Sequence, residues 1–130
     1  MKTKKISTDF ADGTVHYADR SESIADAEWM EHPQFKGVYL KLMIKGADTS
    51  GFFSSHLVKI APDCTLATHC HENQLELHEV IEGEGSCQLL DKRFDYHPGK
   101  MAVIPKGEPH MVQAGKNGLI LAAKFFPAMD

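Results

Sequence analysis

From residue 38 onward, apolar and polar positions alternate. Val38, Leu40, Leu42 and Ile44 interleave with Tyr39, Lys41, Met43 and Lys45. That period of two places one face of a strand on a core and the other toward solvent. Gly46-Ala-Asp-Thr-Ser-Gly51 reads as a turn or loop. Residues 52–60, rich in aromatic and branched side chains, predict a second strand that stops at Ala61-Pro62-Asp63. Residues 66–71 and 75–81 predict two more. Gly83-Glu84-Gly85 breaks the pattern and predicts a bulge or bend. Residues 86–90 and 93–96 flank Asp91-Lys92 as a hairpin, and Pro98-Gly99 is a turn. Residues 101–104 form a strand that ends at Pro105-Lys106-Gly107. Residues 110–113 and 119–126 complete the set, with Pro127 closing the last strand. No stretch after Gly37 carries a helical period over ten residues or more. Many short strands with closely spaced turns predict an all-β barrel or sandwich.

The chain divides into an N-terminal arm with the first strand or strands, residues 1–36, and a barrel domain, residues 37–130. Residues 1–28 are polar and acidic and read as an extended arm with one short strand. Pro33 forces His32 into an extended conformation and ends any helix there. Trp29, the only tryptophan, is expected to pack across one end of the barrel.

Composition narrows the partners. A length of 130 residues suits one domain, and an apolar fraction of 42% suffices for a core without staples. The net charge is -4 with both signs scattered, so the basic stripe needed for nucleic acid is missing. No apolar run is long enough for a signal peptide or a membrane span, which predicts a soluble cytoplasmic protein with no membrane partner. Cys64, Cys70 and Cys87 are an odd set with no secretory signal, and they read as free thiols.

Histidine is the outlier, at eight of 130 residues. In His69-Cys70-His71 the two imidazoles, two residues apart on a strand, point to one face. Glu76 follows across a short loop at the start of the next strand, where a hairpin brings its carboxylate beside the rings. Imidazole with carboxylate suits Zn, Fe, Mn, Ni or Cu. On these residues alone a plainer reading also stands: a surface His-x-His beside a solvated acidic face of Glu72, Glu76, Glu79, Glu82 and Glu84. His78 shares the parity of Glu76 and is expected to face inward, as a base or substrate contact beside the site or as a polar core residue. His56 shares a strand face with Phe52, Ser54, Val58 and Ile60 and is a weaker candidate for the cavity. His16, His32 and His97 are expected to be solvated.

Two spaced motifs resemble those of the cupin superfamily. The first reads His69-x-His71, four residues, Glu76, six residues, Gly83. The second reads Gly99, five residues, Pro105-x-Gly107, two residues, His110. Two family positions differ. Asp63 stands where a glycine precedes the first motif, and Ala114 where an asparagine follows the second. The segment from Trp29 through Gly37-Val38 to Ala61-Pro62 also resembles cupins found in certain anti-sigma factors and small aromatic-cleaving dioxygenases. The resemblance implies a single jelly-roll-like antiparallel β-barrel. It also implies one divalent transition metal (Fe, Mn, Zn, Ni or Cu) held by His69, His71, Glu76 and His110. The implied activity is an oxygen-using, dioxygenase-type enzyme or an isomerase or lyase, with a metal-dependent small-molecule binding or sensor module as the alternative. His56, His78, Gln88, Gln113 and Tyr39 are the polar candidates for lining the cavity. The resemblance further implies a homodimer paired through N-terminal strands.

Overall fold

The computed structural model describes residues 5–129; the first four residues of the arm and Asp130 lie outside the described residues. The arm holds a short helix α1 (Ile6–Ala11), a hairpin of β1 (Thr14–His16) and β2 (Ser21–Ser23), and β3 (Met30–Glu31). The strands β4 (Val38–Ile44), β5 (Ser54–Ile60), β6 (Thr65–His69), β7 (Leu75–Leu89), β8 (Lys92–Tyr96), β9 (Met101–Ile104) and β10 (His110–Phe126) follow. A 3-10 turn at Gly46–Thr49 links β4 to β5. Every pairing is antiparallel. The order is β3-β4-β5-β10-β7-β8, with β6 also on β10 and β9 also on β7. The second half of β10 runs between β5 and the first half of β7, and its first half runs between β6 and the second half of β7. Two layers thus share β7 and β10, as in a jelly roll. Val38, Val58, Ile60, Val80, Val112, Leu119, Leu121 and Phe125 fill the space between them.

The strands expected at 75–81 and 86–90 are one strand, and so are those at 110–113 and 119–126. The interruption lies in the pairing. Ala114 stands opposite Gly85 and Leu119 opposite Gly83, so residues 115–118 of β10 bulge. Glycine is required on the facing strand. A Cβ on Gly85 would stand 2.1 Å from the Gln113 carbonyl oxygen, and one on Gly83 would stand 2.1 Å from that of Gly118. Gly83 also has φ +83°, which a side chain disfavours. At the departure from the cupin pattern, Asp63 adopts φ 61°, a conformation aspartate tolerates better than most residues.

The arm is not simply extended. α1, too short to show a periodic signal in sequence, sits against the middle of β7. There the Ser7 hydroxyl donates to the Glu82 carboxylate, and Lys5 pairs with Glu82 at 3.8 Å. The Lys41 amine donates to the Ala11 carbonyl at 2.7 Å. Strand alternation alone puts Lys41 in solvent, yet it is 4% exposed, and its cross-strand neighbour Leu57 is fully buried. The arm covers this outer face. Trp29 joins it: the Lys59 and Lys41 amines stand 4.5 Å and 5.9 Å from its ring centroid. It therefore covers the side of the barrel rather than the expected end. Cys64, Cys70 and Cys87 are free thiols. Among the described residues no helix is long and apolar enough to cross a membrane.

Gly83→Ala is expected to destabilise the protein by about 3 kcal/mol or more, from a left-handed backbone plus the carbonyl clash. Gly51→Ala, with φ +80° but nothing within 4 Å of the added carbon, should cost only about 1–2 kcal/mol. Denaturant unfolding of the two variants checks this, and equal losses would contradict the close approach at Gly118.

Candidate metal centre

Strand pairing brings the four residues named by the motifs together. His110, the first residue of β10, stands opposite His69, the last of β6. Directly paired residues share a face, and the two rings lie 4.3 Å apart between centroids. His71 lies just past β6, held by a backbone bond in which the Gly107 amide donates to the His71 carbonyl at 2.9 Å. The Pro105-Lys106-Gly107 turn thus ends β9 and anchors the second imidazole. Glu76, the second residue of β7, points inward opposite Phe125. One ligand atom from each of His69, His71, Glu76 and His110 lies within 4.8 Å of all the others.

The rings are oriented by their far nitrogens. His69 Nδ1–H donates to the Ala67 carbonyl at 2.8 Å, and His110 Nδ1–H donates to that of Glu108 at 3.0 Å. Each bond fixes the tautomer whose Nε2 lone pair is free. Burial pushes the His69 imidazole down to about 4 and lowers His71 as well, so both are neutral at pH 7. Burial alone would raise the Glu76 carboxyl, but the attraction of His110 and the hydrogen bond from His78 outweigh it and hold the group well below the usual carboxylate range. Burial lowers His110, but the Glu76 carboxylate overcomes this and raises it. Glu76 Oε1 and His110 Nε2 are 3.0 Å apart, buried and out of hydrogen-bonding alignment, leaving both without a partner. Such orphaned atoms are costly. Three imidazoles and one carboxylate converging on them are a donor set that fits a divalent transition metal.

A small cavity of about 90 Å³ opens over this cluster, walled by Leu40, Val58, Leu66, Phe125 and Met129, with His32 and His56 as further polar groups. The edge of the His56 ring meets Phe125 at 5.4 Å. His32, expected in solvent, is instead half-buried beside Phe35 with ring centroids 4.6 Å apart. It lies in an irregular segment, where no periodicity marks a facing residue. Three cavity candidates fall elsewhere. Tyr39 faces the outer surface near Lys59. Gln88 and Gln113 have the opposite parity to inward-facing Cys87 and Val112, and Gln113 accepts from Arg93 at 3.4 Å.

His78 faces inward, as its parity predicts, but it does not line the cavity. It is 1% exposed and lies behind Glu76, bonded to Glu76 Oε2 at 2.8 Å and to the Tyr96 hydroxyl at 2.9 Å. Contact with a substrate is closed to it here, because both ring nitrogens are engaged inside the core. Sequence reasoning missed Tyr96, which reaches His78 only through the pairing of β7 with β8, opposite Gly85.

The Cupin domain family model matches residues 56–120, half of the chain. No curated protein matches it. Solved structures do. KdgF from Halomonas sp. is 19% identical, covers 79% of this chain and 90% of its own, and has a TM-score of 0.69. A predicted oxalate decarboxylase from Thermotoga maritima is 19% identical over 79% of this chain and 95% of its own, with a TM-score of 0.71. The polyketide cyclase RemF from Streptomyces resistomycificus is 23% identical over 79% of this chain and 75% of its own, with a TM-score of 0.67. At these identities the likeness is one of fold.

The histidines predict a pH dependence for the metal-free protein. His69 titrates at about 4 when folded and about 6.5 when unfolded, and His71 and His32 shift the same way through burial. The unfolded chain therefore binds protons that the folded rings refuse, and stability falls as pH drops through that window. His110 is raised, so its contribution is complete below its unfolded value and lost only as pH rises. Glu76 is depressed, and its contribution persists until pH falls below about 4.5. Chelator-treated protein should show a denaturation midpoint that declines steadily from pH 6.5 to 4.5. The decline should flatten in His69→Asn, and a flat wild-type profile would contradict the burial of these rings.

Proposed function

The chain belongs to the cupin family, and from that premise we propose that it is a metal-dependent enzyme acting on a small organic substrate. The observation that carries this reading is the unpartnered pair Glu76 Oε1 and His110 Nε2 beneath the cavity. His69, His71, Glu76 and His110 would hold one divalent Fe, Mn, Zn, Ni or Cu ion. A metal bound there would supply Lewis-acid or redox chemistry. The residues of the chain do the rest. Leu40, Val58, Leu66, Phe125 and Met129 exclude water from the reacting centre and limit the substrate to a small molecule with an apolar body. His56 is the proposed proton-transferring group at the substrate, since it reaches the cavity from β5 outside the ligand cluster. His32 faces the same space from the arm and orients the substrate.

The reaction is oxygen-using or of the isomerase or lyase type. Relatives in fold that are named as a decarboxylase and a cyclase favour the second class. We also propose a homodimer. β3 pairs with β4 only at Tyr39 and Leu40, so β4 beyond Leu40 has no partner strand on that side among the described residues. Open edges are templates for pairing with another chain.

Metal analysis of untagged protein should find about one divalent ion per chain, with strong loss in His69→Ala and in His110→Ala. Full occupancy in both variants would overturn the site. A screen of catechols, flavonols, thiols and diketones, with oxygen uptake recorded, separates the two reaction classes. His56→Gln should keep its metal and lose about 10²-fold in turnover. Binding without turnover of any substrate would reassign the chain to a sensor module. Light scattering at micromolar concentration should give twice the monomer mass, and a monomer would end the dimer reading.

A further inference from the structure

Behind Glu76, on the side away from the cavity, polar groups run in a line through the core. Glu76 Oε2 meets His78 Nε2 at 2.8 Å, and His78 Nδ1 meets the Tyr96 hydroxyl at 2.9 Å. Glu76, His78 and Tyr96 are 4%, 1% and 2% exposed. A buried polar group left unpaired costs about 1–3 kcal/mol, and here each satisfies the next. The line ends at Glu76 Oε1, the carboxylate oxygen that has no hydrogen-bond partner.

We propose that Tyr96 and His78 are positioning residues that present Glu76 to a metal through Oε1 alone. The proton pattern follows from the acceptors. An ionised Glu76 offers only lone pairs, so the hydrogen between it and His78 belongs to Nε2. A neutral His78 then has only a lone pair at Nδ1, and the Tyr96 hydroxyl 2.9 Å away donates to it. The hydroxyl thereby selects the Nε2–H tautomer of His78. That tautomer ties down Oε2 and stops the carboxylate from turning. Glu76 then offers one ligand atom, already aimed where the Nε2 atoms of His69 and His110 converge.

This rests on the metal reading above, and the experiment separates the two. Cobalt is titrated into metal-free wild type, Tyr96→Phe, His78→Gln and the double variant, and followed by its visible absorption. The tautomer of His78 is read in metal-free wild type by nitrogen NMR. Tyr96→Phe should remain folded by circular dichroism, bind Co²⁺ about 10–100-fold more weakly and show altered cobalt bands. The double variant should bind no more weakly than His78→Gln alone, because Tyr96 acts only through His78. Wild type that takes up no cobalt would overturn the metal reading and this proposal together. Wild type that binds cobalt while Tyr96→Phe binds it equally well with unchanged bands would overturn this proposal only. A His78 found as the Nδ1–H tautomer or as an imidazolium would overturn it too, and that measurement decides the matter if Tyr96→Phe does not fold.

Discussion

Backbone hydrogen bonding along β10 sets where His69, Glu76, His78 and His110 stand. A buried strand must have its amides and carbonyls paired on both sides. β10 meets this with three neighbours, β5, β6 and β7. Its register places His110 against His69, Phe125 against Glu76 and Ala123 against His78. A slip of one residue would turn each of these side chains to the opposite face. The bulge at residues 115–118 lets one strand serve both layers, and it closes only because Gly83 and Gly85 carry no side chain where the backbones meet. The glycines of the sequence motifs are thus part of the site's geometry, although none of their atoms belongs to the ligand cluster.

Within that frame, electrostatics decides the state of the cluster. Removing a carboxylate from water costs several kcal/mol unless charge and hydrogen bonds offset it. Glu76 is compensated from two sides, by His110 toward the cavity and by His78 toward the core. The compensation is uneven. Oε2 is in a well-formed hydrogen bond, while Oε1 faces His110 Nε2 with neither aligned. Two of the rings are held by backbone carbonyls two residues upstream, so their free nitrogens are fixed by strand geometry rather than by flexible side-chain partners. The donors therefore converge on one point without an ion to gather them.

The arm completes the fold from outside. It buries the outer face of β4 and β5 around Lys41 and Leu57, and it carries His32 round to the cavity. One segment thus contributes both to covering an otherwise wetted sheet face and to the polar lining of the site.

Period-two patterning determined most strands, among them β4 and β9 with the same limits, and the resemblance of two motifs to those of cupins implied that His69, His71, Glu76 and His110 form one cluster. Parity also placed His78 and His56 on the inward face. Tertiary structure decided what lies beyond parity: that β7 and β10 run unbroken past their glycines, that Lys41 is covered by the arm, that His32 lines the cavity while Tyr39, Gln88 and Gln113 do not, and that His78 is enclosed by Tyr96. The division has a physical cause. Alternation along a strand is imposed by the backbone and is legible within a few residues. What a side chain meets depends on partners from distant segments: Tyr96 lies eighteen residues from His78, and Ala11 thirty from Lys41. Those partners are chosen by register and packing, which no local spacing records.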